Sequence, residues 1–247
     1  MMDENLNKAI IFATDKHSGQ VRKDTTKPYI THPLETMAIL NYMLADINLL
    51  IAGVLHDTIE DTNATYEEIE REFGKDVAEL VGKHSEGKSK GWEERKQNAI
   101  DELKEAPARV KMLVLADKVA NLRSMWVDYQ TVGEKLWERF NATKNKQAWY
   151  YGGIQDALGE LQSVPKTSEI YWEMVRRYKD LFVEFYIDEE NDILYQSCAD
   201  STMWMLKKEI CEWIPVKDAI EGLKVLPRYR AEFIEDVWNE IRVKNYN

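Results

Sequence analysis

The chain has 247 residues, 44% hydrophobic and 11% aromatic, which is enough for one large domain or a medium domain with an appendage, and too apolar for a disordered chain. Against 44 acidic side chains stand 33 basic ones, and the net charge of −11 argues against a nucleic-acid coat or a membrane-surface protein. An anionic substrate would therefore have to meet a local basic patch or a metal.

Taken in order, residues 4–17 read as an amphipathic helix with Leu6, Ile10, Ala13 and His17 on one stripe. The polar, acidic start resembles no secretory signal. A loop carrying Arg22, Lys23 and Lys27 follows. Tyr29 to His32 should be extended, because the residue before Pro33 avoids the helical region. Pro33 then suits the opening of a helix through Met37, Leu40 and Leu44.

Residues 49–62 are the first anomaly: a run of Leu49, Leu50, Ile51, Val54 and Leu55 ends in His56, Asp57, Glu60 and Asp61. At about 100° per residue, Glu60 lies about 40°, Asp57 about 100° and Asp61 about 140° from His56, so one helical arc carries all four. Acids at a helix C-terminus oppose its dipole and call for a positive partner, of which a metal ion is the most economical. The apolar run itself is far too short to span a bilayer.

Thr65 and Glu68 suggest a capping box opening a short helix that stops near Gly74. Another helix should follow over 75–84. Residues 85–91 read as a polar loop with Lys88 and Lys90, and 92–105 as a charged helix on which Arg95 and Lys96 form a solvated face.

The helix expected over 108–129 holds the second anomaly. Asp117 is centred on the apolar stripe of Val110, Leu113, Val114 and Ala120, with Asn121 and Ser124 below it. A carboxylate on a buried face is costly unless it is paired or coordinates a metal. A structural salt bridge to a lysine is the alternative account.

Two further helices are expected over 133–162, a linker at 163–168 and a helix over 168–180. Beyond these lie a strand, turn and strand over 181–196, a third strand at 203–206 and a closing helix over 228–244. The expected fold is mainly α, a helical bundle over 1–165 with a small α+β appendage over 166–247. The appendage should be separable, so that a chain ending near Val164 keeps a soluble helical domain with measurable activity. Cys198 and Cys211 make no disulfide framework, and the expected compartment is the cytoplasm.

Collected, His32, His56, Asp57 and Asp117 offer two imidazoles and two carboxylates without cysteine. That set suits manganese, iron, zinc or magnesium, and a six-coordinate ion would keep two positions for water and substrate. The order H…HD…D resembles the HD phosphohydrolase superfamily. Five surrounding words narrow it: HisSerGlyGlnValArgLys at 17–23, ProTyrIleThrHisPro at 28–33, LeuHisAspThrIleGluAspThr at 55–62, PheGlyLysAspVal at 73–77 and LeuAlaAspLysValAlaAsnLeuArgSer at 115–124. Together they resemble the hydrolase domain of the RelA/SpoT family, in its small alarmone hydrolase branch, over roughly residues 5–150.

The resemblance implies an HD-domain bundle and manganese, or another divalent metal, held by His32, His56, Asp57 and Asp117. It implies Glu60 and Asp61 as the acidic pair that handles protons. Arg22, Lys23 and Asn121 would contact a nucleotide, and Ser124 stands where the long enzymes commonly carry threonine. The implied reaction removes the 3′-pyrophosphate of ppGpp or pppGpp. The same ligand set would serve ppApp, NADPH or a nucleoside monophosphate, and a regulatory nucleotide-binding module is the non-enzymatic alternative. No nucleic-acid or membrane partner is expected, and these motifs do not encode an oligomeric state.

Overall fold

A computed structural model describes residues 2–23, 25–84, 91–199, 202–208, 212–216, 223–226, 230–236 and 238. In chain order come α1 (Met2–Lys16), α2 (Thr31–Tyr42), α3 (Ile47–Leu55), α4 (Thr58–Asp61), α5 (Tyr66–Phe73), α6 (Lys75–His84), α7 (Trp92–Lys104), α8 (Ala108–Val132), α9 (Lys144–Ala157) and α10 (Thr167–Phe182). Short 3-10 stretches at Gly133–Arg139 and Gly159–Ser163 replace part of the two helices expected over 133–162, of which α9 is seen. No helix among the described residues is long and apolar enough to cross a membrane. The expected loop over 85–91, with Lys88 and Lys90, lies outside the described residues except for Gly91.

The chain divides into two compact units, 1–141 with 150–177 and 142–149 with 178–247. The division thus falls inside α9 and α10, whereas the sequence suggests a join at 165.

In the first unit α3 is the central rod, packed against α1, α2, α6 and α8. Asp46 caps its start, accepting from the Asn48 and Leu49 amides at 3.1 Å each. Every residue from Leu49 to Leu55 is buried, and full burial of each large side chain is worth about 1.5–3 kcal/mol. Gly53 lets α2 approach: a Cβ there would stand 2.5 Å from Leu40 Cδ1. That approach sets the beginning of α2 near the end of α3.

Two local expectations change. Tyr29 to His32 are not extended, since α2 already starts at Thr31 and Ile30 is helical at φ −53°, ψ −22°. The Thr31 amide donates to Pro28 O at 3.2 Å and the His32 amide to Tyr29 O at 3.0 Å, winding the chain into the helix. Pro33 therefore sits in the first turn, where its missing N–H has no intrahelical acceptor in any case, and this outweighs the preference of the residue before it.

The single helix expected through Asp61 breaks at His56–Asp57 into α3 and α4. His56 Nδ1 donates to Gly53 O at 2.8 Å and Thr58 Oγ1 to Leu55 O at 2.6 Å, so side chains satisfy the last carbonyls of α3. Asp57 consequently stands at the N-cap of α4, and Glu60 and Asp61 lie within its single turn rather than at the end of α3. Because His56 and Asp57 keep helix-like dihedrals, the shared arc largely survives.

Thr65 caps α5 as expected, accepting from the Glu68 amide at 3.2 Å, while the Glu68 carboxylate turns to Lys16 at 2.8 Å.

The second unit carries a five-stranded antiparallel sheet ordered β4-β3-β2-β1-β5. Its strands are β1 (Val183–Asp188), β2 (Ile193–Cys198), β3 (Met203–Lys207), β4 (Trp213–Val216) and β5 (Lys224–Leu226). The first three match the sequence reading, and β4 and β5 are two strands beyond it. β1 and β2 pair from Val183↔Cys198 to Asp188↔Ile193. Phe185, Leu194, Leu206 and Leu226 pack with Ala231 and Trp238. The closing helix is seen over residues 230–236, and most of the remainder of its expected range lies outside the described residues.

Candidate metal centre and its cleft

His32 stands in the first turn of α2, His56 caps α3, Asp57 caps α4 and Asp117 lies midway along α8. The tertiary fold gathers them. The two Nε2 atoms are 3.2 Å apart. His32 Nε2 is 3.1 Å from Asp117 Oδ1 and 3.5 Å from Asp57 Oδ2, while His56 Nε2 is 3.7 Å and 3.1 Å from the same oxygens. Ligand atoms of His32, His56 and Asp57 fall within 4.8 Å of one another, a set able to hold a metal ion.

The donor chemistry fits a divalent cation. His56 Nδ1 faces a carbonyl, which only accepts, so the proton on that nitrogen is fixed and Nε2 is the atom turned to the cluster. Two Nε2 atoms facing each other at 3.2 Å cannot both point N–H bonds inward. The charges of the four side chains make the same point. Burial alone would lower the pKa of His56, but the Asp57 carboxylate and the Asp117 hydrogen bond push it up to about 10. His32 is lowered, chiefly by burial. Burial would raise Asp57, yet the facing imidazoles hold it well below the usual carboxylate range. The two carboxylates thus favour positive charge between them and the imidazoles.

Asp117 is 3% exposed, as its place on the apolar stripe implied. Its Oδ2 accepts from Lys118 Nζ at 2.7 Å and its Oδ1 from Asn121 Nδ2 at 2.6 Å. The lysine pair expected as the alternative account is thus present, and Asp117 also faces the two imidazoles. Burial would lower the Lys118 pKa, but Asp117 and then Tyr150 raise it well above the ordinary value.

A cleft of about 790 Å³ opens over the cluster, lined by His32, Asp57, Glu60, Asp61, Asp117 and Asn121 among others. Arg22 also lines it and donates from Nη2 to Asn121 Oδ1 at 2.8 Å, so two expected nucleotide contacts meet. Lys23 is exposed and Ser124 half-buried, and neither is among the lining residues.

Arg95 and Lys96 do not form a solvated face. Both are half-buried and line the cleft, with Lys96 Nζ 4.7 Å from the centroid of the Tyr150 ring. Because α7 covers the cleft with this side, a charged helical pattern could not show where its cations point.

Sequence reasoning also passed over Lys118 and Tyr29. Lys118 follows Asp117 at about 100° on the wheel, at the edge of the stripe, and its length lets the ammonium reach back. Tyr29 belongs to ProTyrIleThrHisPro at 28–33. Its hydroxyl is 2.8 Å from Asp57 Oδ2 and 2.8 Å from Asp61 Oδ2. Burial and those two carboxylates hold the phenol protonated.

The chain is similar in sequence and fold to other proteins. A Xenopus tropicalis protein named guanosine-3′,5′-bis(diphosphate) 3′-pyrophosphohydrolase MESH1 is 43% identical over 117 residues, 46% of this chain and 65% of that protein. An Aquifex aeolicus protein named guanosine-3′,5′-bis(diphosphate) 3′-pyrophosphohydrolase is 29% identical over 98% of this chain, which spans 33% of its length. The chain thus spans about two thirds of one of these relatives and a third of the other. Among solved structures, a metazoan ortholog of SpoT that hydrolyzes ppGpp matches with a TM-score of 0.58 at 29% identity, covering 70% of this chain and 94% of that one. The family model described as HD domain matches residues 9–145, more than half of the chain and all four residues of the cluster. On its sequence, its fold and the order of its clustered imidazoles and carboxylates, this chain belongs to the HD domain family.

Proposed function

We propose that this chain is a divalent-metal-dependent hydrolase that removes the 3′-pyrophosphate of guanosine tetra- or pentaphosphate. The observation that carries the reading is one cleft lined by His32, Asp57 and Asp117 and, beside them, by Glu60 and Asp61, with His56 buried against the first three. Its relatives carry the name of that activity.

His32, His56, Asp57 and Asp117 would hold the ion, and manganese is our choice from the family resemblance. When bound, such an ion supplies Lewis acidity toward a phosphoryl oxygen and makes water nucleophilic near neutral pH. Water attacks the phosphorus attached to the 3′ oxygen, that P–O bond breaks, and the nucleotide leaves as GDP or GTP beside pyrophosphate. Glu60 takes up the proton that water loses, and the Glu60–Asp61 pair returns one to the departing 3′ oxygen. Arg22 and Asn121, already bonded to each other, present a planar guanidinium and an amide to the nucleoside. Lys96, Arg95 and Lys118 bring positive charge to the cleft, which lets a protein of net charge −11 accept a polyanion.

The test is parallel assay of ppGpp, ppApp, dAMP and NADPH on metal-stripped protein with manganese or magnesium restored. Pyrophosphate release from ppGpp, absent in excess EDTA and restored better by manganese, is expected. Turnover of another nucleotide with ppGpp untouched would replace the substrate, and full activity in EDTA would remove the metal.

A further inference from the structure

We infer that Tyr29 is a positioning residue that ties the metal cluster to Asp61 through one shared hydroxyl. This rests on the reading above, in which Asp61 takes part in proton transfer.

The Tyr29 oxygen is 2.8 Å from one oxygen of Asp57 and 2.8 Å from one of Asp61. An O–H carries one proton and donates to one carboxylate at a time. Any shift of that proton toward Asp57 loosens Asp61, and the reverse, so the two groups feel each other through the phenol. A tyrosine serving packing alone needs one acceptor of any kind. Here both acceptors belong to the site, and one of them is a cluster residue.

The ring is held so that it cannot simply follow either carboxylate. It stacks on His17 with centroids 4.7 Å apart and planes 25° from parallel, and the Arg22 guanidinium lies 5.6 Å from its centroid. His17 Nδ1 is 2.8 Å from Gln20 Oε1, and Gln20 Nε2 donates to the Asp61 carbonyl at 2.9 Å. The Tyr29 amide donates to Gln20 O at 3.0 Å. The segment from His17 to Tyr29 therefore grips Asp61 by both its backbone and its carboxylate. Without that grip, an exposed carboxylate on a four-residue helix would spread over several rotamers. Holding a reacting group in one geometry is where such outer contacts gain rate, and losing one typically costs about 10–100-fold in activity or metal affinity.

The experiment is a double-mutant cycle of Tyr29→Phe with Asp61→Asn in the full chain, read by kcat and KM on ppGpp and by manganese titration of the metal-free proteins. Phenylalanine keeps the ring and its stack. In the parent, Tyr29→Phe is expected to lower kcat about 10–100-fold with KM changed by less than about threefold. In the Asp61→Asn background it should lower kcat by no more than about twofold, because the group it positions is gone. Manganese should bind about 10-fold more weakly in both backgrounds, since Asp57 loses its donor in each.

An equal fall of kcat in both backgrounds, or none in the parent, would overturn the proposal. Unchanged manganese affinity would overturn the Asp57 half of it. A parent that leaves ppGpp intact while manganese still binds and weakens on Tyr29→Phe would fault the substrate and not the tether. Should Tyr29→Phe fail to fold, the same cycle with Gln20→Leu, which frees the Asp61 backbone, reads the kcat half: an equal fall in both backgrounds, or none in the parent, would again overturn the proposal.

Discussion

At Glu60 the exchange of carboxylate for amide keeps the side-chain shape and removes the ability to take up a proton at neutral pH. General acid–base groups contribute roughly 10²–10⁴-fold to rate. Glu60→Gln should therefore retain metal and nucleotide affinity while single-turnover hydrolysis slows by about that factor, and a parental rate would take Glu60 out of the mechanism. Asp117 separates differently, because it faces both imidazoles and anchors Lys118 and Asn121. Asp117→Ala should abolish stoichiometric manganese binding. It also leaves the half-buried Lys118 ammonium without this anion, which should destabilise by about 1–3 kcal/mol. Metal content and urea unfolding measured on the same samples check both effects, and a variant still holding one manganese would refute the ligand assignment.

At the scale of elements, the cluster depends on how closely α2 approaches α3. Gly53 is the point of contact, where an added Cβ would stand 2.5 Å from Leu40 Cδ1, a side chain with no exposure of its own. Two effects oppose each other in Gly53→Ala. Alanine gains about 1 kcal/mol of helix propensity, and overpacking a filled core costs about 1–3 kcal/mol. With Leu40 fully enclosed, overpacking should win and push α2 outward. Because Gly53 O also receives the His56 Nδ1 proton, the expected outcome is a net loss of about 1 kcal/mol or more together with weaker manganese binding. Thermal unfolding and metal titration measure these, and a stabilised variant with parental affinity would show that Leu40 has room to turn aside.

At the scale of the whole molecule, every cleft-lining residue lies within the first compact unit, which ends in α10 at Arg177. A chain ending near Val164 would lose Ile170, Tyr171 and Met174, all buried, and Glu173, which pairs with Arg123 at 2.7 Å. Each buried apolar side chain is worth about 1.5–3 kcal/mol. We therefore expect a chain ending at Arg177 to be more stable than one ending at Val164 by several kcal/mol, with ppGpp hydrolysis measurable in the longer chain. Urea midpoints of the two chains decide this, and equal midpoints would show that the first half of α10 is no part of the unit it packs with.

What the sequence by itself determined is what a helical repeat can carry. The order of two imidazoles and two carboxylates is read along the chain by resemblance, whereas the apolar run at 49–55, the stripe that buries Asp117 and the Thr65 cap are local patterns. A period of 3.6 residues makes such patterns readable within a few turns. Tertiary structure alone decided the rest. Arg22 meets Asn121 across 99 positions and Tyr29 meets Asp61 across 32, distances at which no periodicity operates. The same limit explains Arg95 and Lys96, whose charged helix looks solvated until a cleft is found beneath it. The break at His56–Asp57 and the early start of α2 depended on single side-chain and backbone hydrogen bonds that outweighed the ordinary preference of each residue. Short strands such as β4 and β5 are settled by their neighbours in the sheet, because an isolated strand of three or four residues has too few contacts to specify itself.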